Sequence, residues 1–286
     1  MLPLTIPSYQ GTLHVMNLFL VVAWLMFSFL FWRGLRRWGI DEDRIFDLTF
    51  YASIVAFIAA RIGFIVTHLE IFAGKSVLLM AALWISPGLS WLAGLIGGIA
   101  TLILLSRVYK VRLGLVLDTL AVSFPLPIIV GEVGSLFTGM EVGLVTRLPW
   151  AIRFGKDMTT RHPVQFYEMI AVLLLLIVMT RMSSRAALKK WAYGVVGVWF
   201  LLLYSSLSFG LEFVKESRVY WGNLHANQWV LIGIFAESIG VLYIRGGGRE
   251  RMRPVFATLA DRTSRIRKGV YAVISRKNTQ GAEKTS

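Results

Sequence analysis

The chain has 286 residues, 56% of them hydrophobic and 16% charged, with mean hydropathy +0.65, a composition that excludes a soluble globular domain. Cysteine is absent, which excludes disulfides, thiolate metal sites and a cysteine nucleophile in this chain, so any thiol chemistry must use a partner's sulfur. The net charge of +14 does not point to nucleic acid, because most basic residues sit in short loops or the tail beside apolar runs, which is the pattern of membrane topology.

A membrane span needs roughly 20 predominantly apolar residues, and the chain offers seven candidates, at about 13–32, 47–67, 89–106, 115–137, 164–180, 191–213 and 228–244. The predicted fold is therefore an all-α polytopic membrane protein of about seven transmembrane helices. No charged side chain occurs in residues 1–13, so Leu13 to Trp32 is expected to be a retained span and not a cleaved signal peptide. Lysine and arginine fix the expected orientation. Twenty-two basic residues follow the first, third, fifth and seventh spans, and seven lie in the other loops. The N-terminus is thus expected outside and the C-terminus in the cytoplasm, with a membrane domain over 1–245 and a basic cytoplasmic tail over 246–286.

Arg61 lies about 14 residues into the second span, roughly 21 Å along the helix, and must face the protein interior or a hydrated cavity. Two readings stand for it: a guanidinium fork holding a phosphate or carboxylate, or a structural ion pair with Glu132 or Glu212. The segment 68–88 and the segment 138–163 carry apolar residues such as Ile71, Phe72, Leu83, Trp84, Trp150 and Phe154, and are expected to lie in the membrane interface as short amphipathic pieces. In the third span, Ala93, Gly94, Gly97 and Gly98 give small-xxx-small spacing, read as close helix packing in preference to ligand approach. Asp118, Glu132 and Glu212 are further charges inside apolar runs. Gly131 to Gly139 contains six glycine or polar residues in nine, and is expected to break its helix or line a cavity.

The densest polar stretch is Arg161-His162-Pro163-Val164-Gln165-Phe166-Tyr167-Glu168, at the entry of the fifth span. Ionisable groups beside hydrocarbon are costly and are kept mainly where the protein uses them. His162 titrates near neutrality, and Pro163 fits the first turn of the helix that follows. Gln165 and Glu168, three apart, share a helical face and are positioned to act together. The competing reading is an interfacial cluster that only anchors the helix. His14, His68 and His225 are scattered without metal-ligand spacing, and no metal or cofactor is implied. The tail, from Arg245, reads either as a basic amphipathic helix on anionic inner-leaflet lipids or as a disordered segment, with Gly246-Gly247-Gly248 as a joint.

These residues carry a resemblance. Arg161 to Glu168 resembles the "RHPSQLYE" signature of the bacterial prolipoprotein diacylglyceryl transferase family. Other segments follow in that family's order: Arg61-Ile62-Gly63-Phe64 is similar to "RLGY", Leu89 to Gly97 to "MSFHGGLIG", Gly131 to Gly143 to "GRxxNFxNGExxG", and Ser208 to Lys215 to "RFxxEFxR". The resemblance spans about residues 12–245. It implies a multi-pass protein of the bacterial plasma (inner) membrane that moves diacylglyceryl from phosphatidylglycerol to the lipobox cysteine of a preprolipoprotein, releasing glycerol phosphate. It further implies a catalytic set of His162, Tyr167 and Glu168 and a substrate-binding set of Arg61, Arg161, Gln165, Gly143 and Glu212. Several family positions differ: the signature arginine is Glu132, its two asparagines are Ser135 and Thr138, its glutamate is Met140 with Glu141 adjacent, and Leu92, Ser208 and Met16 stand where a histidine, an arginine and a tyrosine are expected. Placing glutamate where a phosphate-facing arginine belongs reverses an interaction of about 4 kcal/mol at ~4 Å and an effective dielectric of ~20. A catalytically degenerate homologue that binds lipid or a lipoprotein precursor is therefore the alternative. A transporter with an ion relay through Arg61, Glu132, Glu168 and Glu212 is a third, weakened by the lack of internal repeats.

Overall fold

The structure is a computed structural model that describes residues 9–74, 76–82, 88–139, 141–153, 159–216 and 220–248. Leu83, Trp84, Met140, Phe154 and the tail beyond Gly248 lie outside the described residues. The chain is mostly helical, as expected. Six helices are long and apolar enough to cross a membrane: α1 (Tyr9–Arg36), α2 (Glu42–Thr67), α5 (Trp91–Val108), α8 (Val164–Leu188), α9 (Val195–Glu212) and α10 (Ala226–Tyr243). The pair α6 (Leu113–Ser123) and α7 (Pro125–Thr138), joined with a bend of 42°, passes the same test together and makes a seventh if the two are taken as one span. The short helices α3 (Leu69–Phe72) and α4 (Val77–Ala81) lie between α2 and α5, and a two-stranded hairpin, β1 (Tyr220–Trp221) with β2 (Leu224–His225), lies between α9 and α10.

Of the two readings of the glycine-rich segment, the helix break is not what forms: α7 runs through Gly131 and Gly134 and stops at Gly139, whose φ of 61° gives the left-handed cap, while Glu132 lines a narrow crevice. The break falls at Phe124, just before Pro125 and Pro127, which lack the N–H groups that would continue α6. The loop expectation also needs amending. Leu69–Phe72 and Val77–Ala81 do form short helices, but residues 141–153 and 159–162 carry no helix and are tied by backbone bridges, Gly143 to Lys215, Val145 to Arg161 and Ile152 to Arg161. Gly246 to Gly248 end a π-helical turn, Ile244–Gly248, and are not an open joint.

The small-residue stripe of α5 packs on α2. A Cβ on Gly97 would lie 2.5 Å from Ala59 Cβ and one on Gly94 3.1 Å from Ala60 Cβ, so the two helices approach to near backbone contact there. On the other flank α1 packs on α7, with Phe19 stacked on Phe137 at 5.7 Å and Gly134 admitting the Phe19 side chain. Phe31, Leu35, Ile45, Leu48, Val111, Leu115 and Val116 form one buried cluster, which joins α1, α2 and α6 at the end where the basic residues collect. Asp118, a charge inside α6, accepts from the backbone N–H groups of Gly194 at 2.7 Å and Gly197 at 2.8 Å, and so caps α9 from across the interface.

Candidate functional site

The opposite end of α7, α8 and α9 gathers the polar residues. Three short extended segments lie side by side there. Leu144 N–H donates to Val214 O at 2.9 Å and Glu216 N–H to Val142 O at 3.0 Å, while His162 N–H donates to Leu144 O at 3.0 Å. Residues 142–145 are therefore clasped between 214–216 and 160–162. Gly143 is glycine because the backbones close up at that point: a Cβ would sit 2.3 Å from the His162 carbonyl oxygen. This arrangement brings Lys215, Arg161 and His162 to one rim.

Lys215 is the centre of the cluster. Its Nζ lies 2.6 Å from Glu168 Oε1 and 2.8 Å from Glu141 Oε2, and its side chain is largely buried. Burial alone draws the ammonium's pKa down, but Glu168 and then Glu141 outweigh it and leave the pKa raised. Gln165, fully buried, donates to the Glu141 carbonyl at 2.6 Å, while Glu168 pairs with Lys215, so the two are linked only indirectly, through Glu141 and Lys215. Glu132 and Glu168 both line a narrow crevice with Tyr204 and Ser208.

Nearby, Arg161 forms an ion pair with Glu216 and donates to the Gly143 carbonyl at 3.2 Å. Tyr167 accepts from the Trp150 indole at 2.7 Å and lies 3.2 Å from His162 Nδ1. The direction of the Tyr167–His162 bond is set by the imidazole tautomer: with Nδ1 unprotonated the Tyr167 O–H donates to it. Glu212 turns the other way, accepting from Asn227 Nδ2 at 3.2 Å, with His225 Nδ1 3.5 Å from the same oxygen and outside hydrogen-bond geometry. Among the described residues no three His, Asp or Glu side chains converge as a metal site requires.

Arg61 belongs to another neighbourhood. Its Nε and Nη2 donate to the Met80 carbonyl at 2.8 and 2.5 Å, its Nη1 donates to the Gly88 carbonyl at 2.9 Å, and its guanidinium faces the Phe64 and Phe72 rings at 5.8 and 5.3 Å. The ion pair expected with Glu132 or Glu212 is not what forms: Glu132 lines the crevice with Glu168, and Glu212 meets Asn227 instead. Arg61 fastens the α4 region and the approach to α5 onto α2, where Ser90 N–H also reaches Ala60 O at 2.9 Å.

Of the residues singled out from sequence, Gly143, Arg161, His162, Gln165, Tyr167 and Glu168 come together at this rim, with Glu212 on its edge facing α10. Lys215, Glu141, Trp150 and Tyr204 were missed. Lys215 had been counted only as a loop charge, although it ends the Ser208 to Lys215 segment and so held a motif position. Of the replaced positions, Thr138 Oγ1 donates to Gly134 O at 3.0 Å and Met16 packs against Gly134, whereas Ser135 Oγ and Glu132 Oε2 are buried with no hydrogen-bond partner among the described residues.

Among the described residues, six apolar helices and one bent pair, with carboxylates around a largely buried lysine at one end, define a multi-pass membrane protein with a polar site. The chain belongs to the prolipoprotein diacylglyceryl transferase family, whose model matches residues 5–244. It is similar to the phosphatidylglycerol-prolipoprotein diacylglyceryl transferase of Chromohalobacter salexigens, at 29% identity over 237 residues, which is 81% of this chain and 85% of the relative. The proteins of the same name from Bordetella parapertussis and Geobacter sulfurreducens are 31% and 29% identical, covering 68% and 67% of this chain and 75% and 72% of their own lengths.

Proposed function

We propose that this chain transfers the diacylglyceryl group of phosphatidylglycerol to the cysteine thiol of a lipobox-containing preprolipoprotein, in lipoprotein biosynthesis at the bacterial inner membrane. The observation that carries the reading is the rim itself: within a family match over most of the chain, one buried cation, two further carboxylates and a Tyr–His pair stand at one end of the spans. The N-terminus and this rim lie outside, the membrane domain spans 1–245, and the basic segment 246–286 rests against anionic inner-leaflet lipids in the cytoplasm; nucleic acid is no partner.

In the reaction the thiol sulfur forms a C–S bond to the glyceryl carbon that carries the phosphate, and the C–O bond to that phosphate breaks. The electron pair leaves with glycerol phosphate. Tyr167, which donates to His162, receives the thiol proton on its oxygen as its own proton passes to Nδ1. Lys215 and Arg161 hold the leaving phosphate. Both are already paired with carboxylates, so the phosphate displaces the exposed partners, Glu141 from Lys215 and Glu216 from Arg161, whereas Glu168 stays in place. Gln165 fixes Glu141's backbone, and Gly143 lets the chain pass close to His162. Glu212 borders the rim at the end of α9, whereas Arg61 holds the α4 region onto α2 in its own neighbourhood.

One observation favours the second reading, a degenerate homologue that binds lipid or precursor without chemistry. Glu132 replaces an arginine and lines the crevice with Glu168, adding a carboxylate where a phosphate must approach. Transfer from labelled phosphatidylglycerol to a lipobox peptide by the purified protein separates the two, with the peptide's cysteine replaced by serine as control. Cysteine-dependent labelling of the peptide is expected. Retained phosphatidylglycerol binding without transfer would instead establish the binding protein.

A further inference from the structure

A second polar cavity, at the far end of the bundle from the rim, is used by nothing described so far. It has a volume of about 680 Å³ and lies between α1, α6, the end of α8 and the start of α9. Its floor is apolar, with Leu30, Val122 and Val196, and is closed where Gly34 of α1 meets Thr119 of α6, a Cβ there lying 2.4 Å from the Thr119 methyl.

Arg33, Arg37 and Lys190 line its mouth. Among the described residues none of the three makes a side-chain hydrogen bond or ion pair, although neighbouring cations do. Arg36 pairs with Glu42 at 3.0 Å, Arg44 with Asp41 at 3.2 Å, and Arg112 stacks on Tyr193 at 5.2 Å. The carboxylate in the wall, Asp118, is committed to the N–H groups of Gly194 and Gly197. Three positive charges therefore line the cavity against one carboxylate, Asp118. Trp38, Trp191 and Tyr193 stand beside them, Trp38 meeting Tyr193 edge-on at 5.7 Å. Aromatic rings next to cations at a helix end mark the headgroup level of a bilayer.

We infer that this cavity binds one anionic phospholipid from the leaflet that meets this end of the bundle, its phosphates held by Arg33, Arg37 and Lys190 and the start of an acyl chain lying on the Leu30, Val122 and Val196 floor. The site shares no lining residue with the transfer rim. Three cations around one mouth suit a headgroup with two phosphates better than one, since each guanidinium can take a phosphate bidentately. The apolar floor distinguishes a lipid from a free phosphate, which would have no use for it.

The test is native mass spectrometry of the full chain released from detergent, titrated with diphosphatidylglycerol or with phosphatidylcholine. The triple variant Arg33→Gln/Arg37→Gln/Lys190→Gly is compared with the unaltered chain. Lys190 has a φ of 51°, where glycine is at ease, so its replacement removes the charge without straining the backbone. The expected result is one tightly held diphosphatidylglycerol whose affinity falls about tenfold or more in the triple variant, a loss of roughly 1.4 kcal/mol per tenfold. Lys189→Gln, one residue outside the lining, should bind as the unaltered chain does, and phosphatidylcholine should not compete. Unchanged binding in the triple variant would overturn the inference. So would an equal loss in Lys189→Gln, which means a diffuse positive surface, or displacement of the lipid by soluble glycerol phosphate at matching concentration, which means a phosphate site with no lipid contact.

Discussion

Arg61 and Lys215 are both buried cations, yet their surroundings are opposite. Arg61 is held by neutral groups, two backbone carbonyls and two aromatic faces. Lys215 is held by two carboxylates, with a third close enough to act on it. A guanidinium against fixed carbonyl dipoles keeps loops in place, and its partners gain nothing by exchanging. An ammonium between carboxylates sits in a balance of full charges, one of which is on an exposed and movable side chain. A phosphate arriving there changes that balance. The first is a fastener and the second a site that an anion can open.

That contrast is sharpened most by Lys215→Met. It leaves Glu168 and Glu141 without their countercharge and removes a cation from the departing phosphate. Transfer is expected to fall by about 10²–10³-fold, with stability lowered by about 3 kcal/mol, the low end for breaking a buried pair. Lys215→Arg should restore most of both, and the transfer assay with thermal unfolding in detergent reads the two effects apart. A Lys215→Met protein that transfers normally would remove Lys215 from the chemistry. Next in size is Tyr167→Phe, which keeps the ring but severs the link between Trp150 and His162. About 10²-fold loss of transfer is expected, with only about 1 kcal/mol of stability. An equal effect on both would make Tyr167 an anchor of the interface and nothing more.

The sequence made the spans readable because each is a run of about 20 apolar residues, a signal set by bilayer thickness and independent of tertiary contacts. The bent span could be seen as irregular from its glycines, which were expected to break the helix or line a cavity, but the break falls at Phe124, just before Pro125 and Pro127. Glycine merely permits a bend, whereas proline removes the hydrogen bond. The 161–168 stretch was visible because its polar residues are contiguous. Lys215 was not, because its role depends on a bridge to Gly143, 72 positions earlier, and pairings of that range leave no local pattern. Arg61 could be recognised as buried from its depth in α2, but not as a clasp, since its partners are carbonyls that any residue could supply.

Arg61→Met tests the other side of the contrast. Two buried carbonyls lose a charged donor, worth about 1–3 kcal/mol each, so the unfolding temperature in detergent should drop clearly. Transfer measured well below that temperature should stay within about tenfold of the unaltered chain. Loss of transfer at unchanged stability would mean that Arg61 reaches the substrate after all, as the family resemblance implies.

The smallest effect is one of pH. Lys215's pKa is raised in the folded protein, while in the unfolded chain a lysine titrates near ~10.4. A group whose folded pKa is raised contributes stability that is fully present below its unfolded pKa and is lost as pH rises through the folded one. The gap in unfolding temperature between the unaltered chain and Lys215→Met should therefore be flat from about pH 7 to about pH 10 and shrink above that. Arg61, paired with groups that do not titrate, predicts no such closing gap against Arg61→Met. If the Lys215 gap narrowed already between pH 7 and 9, the ammonium would be losing its proton far too early for a residue held by Glu168 and Glu141. Its partners would then have to be sought elsewhere, and the distinction between the two cations would collapse.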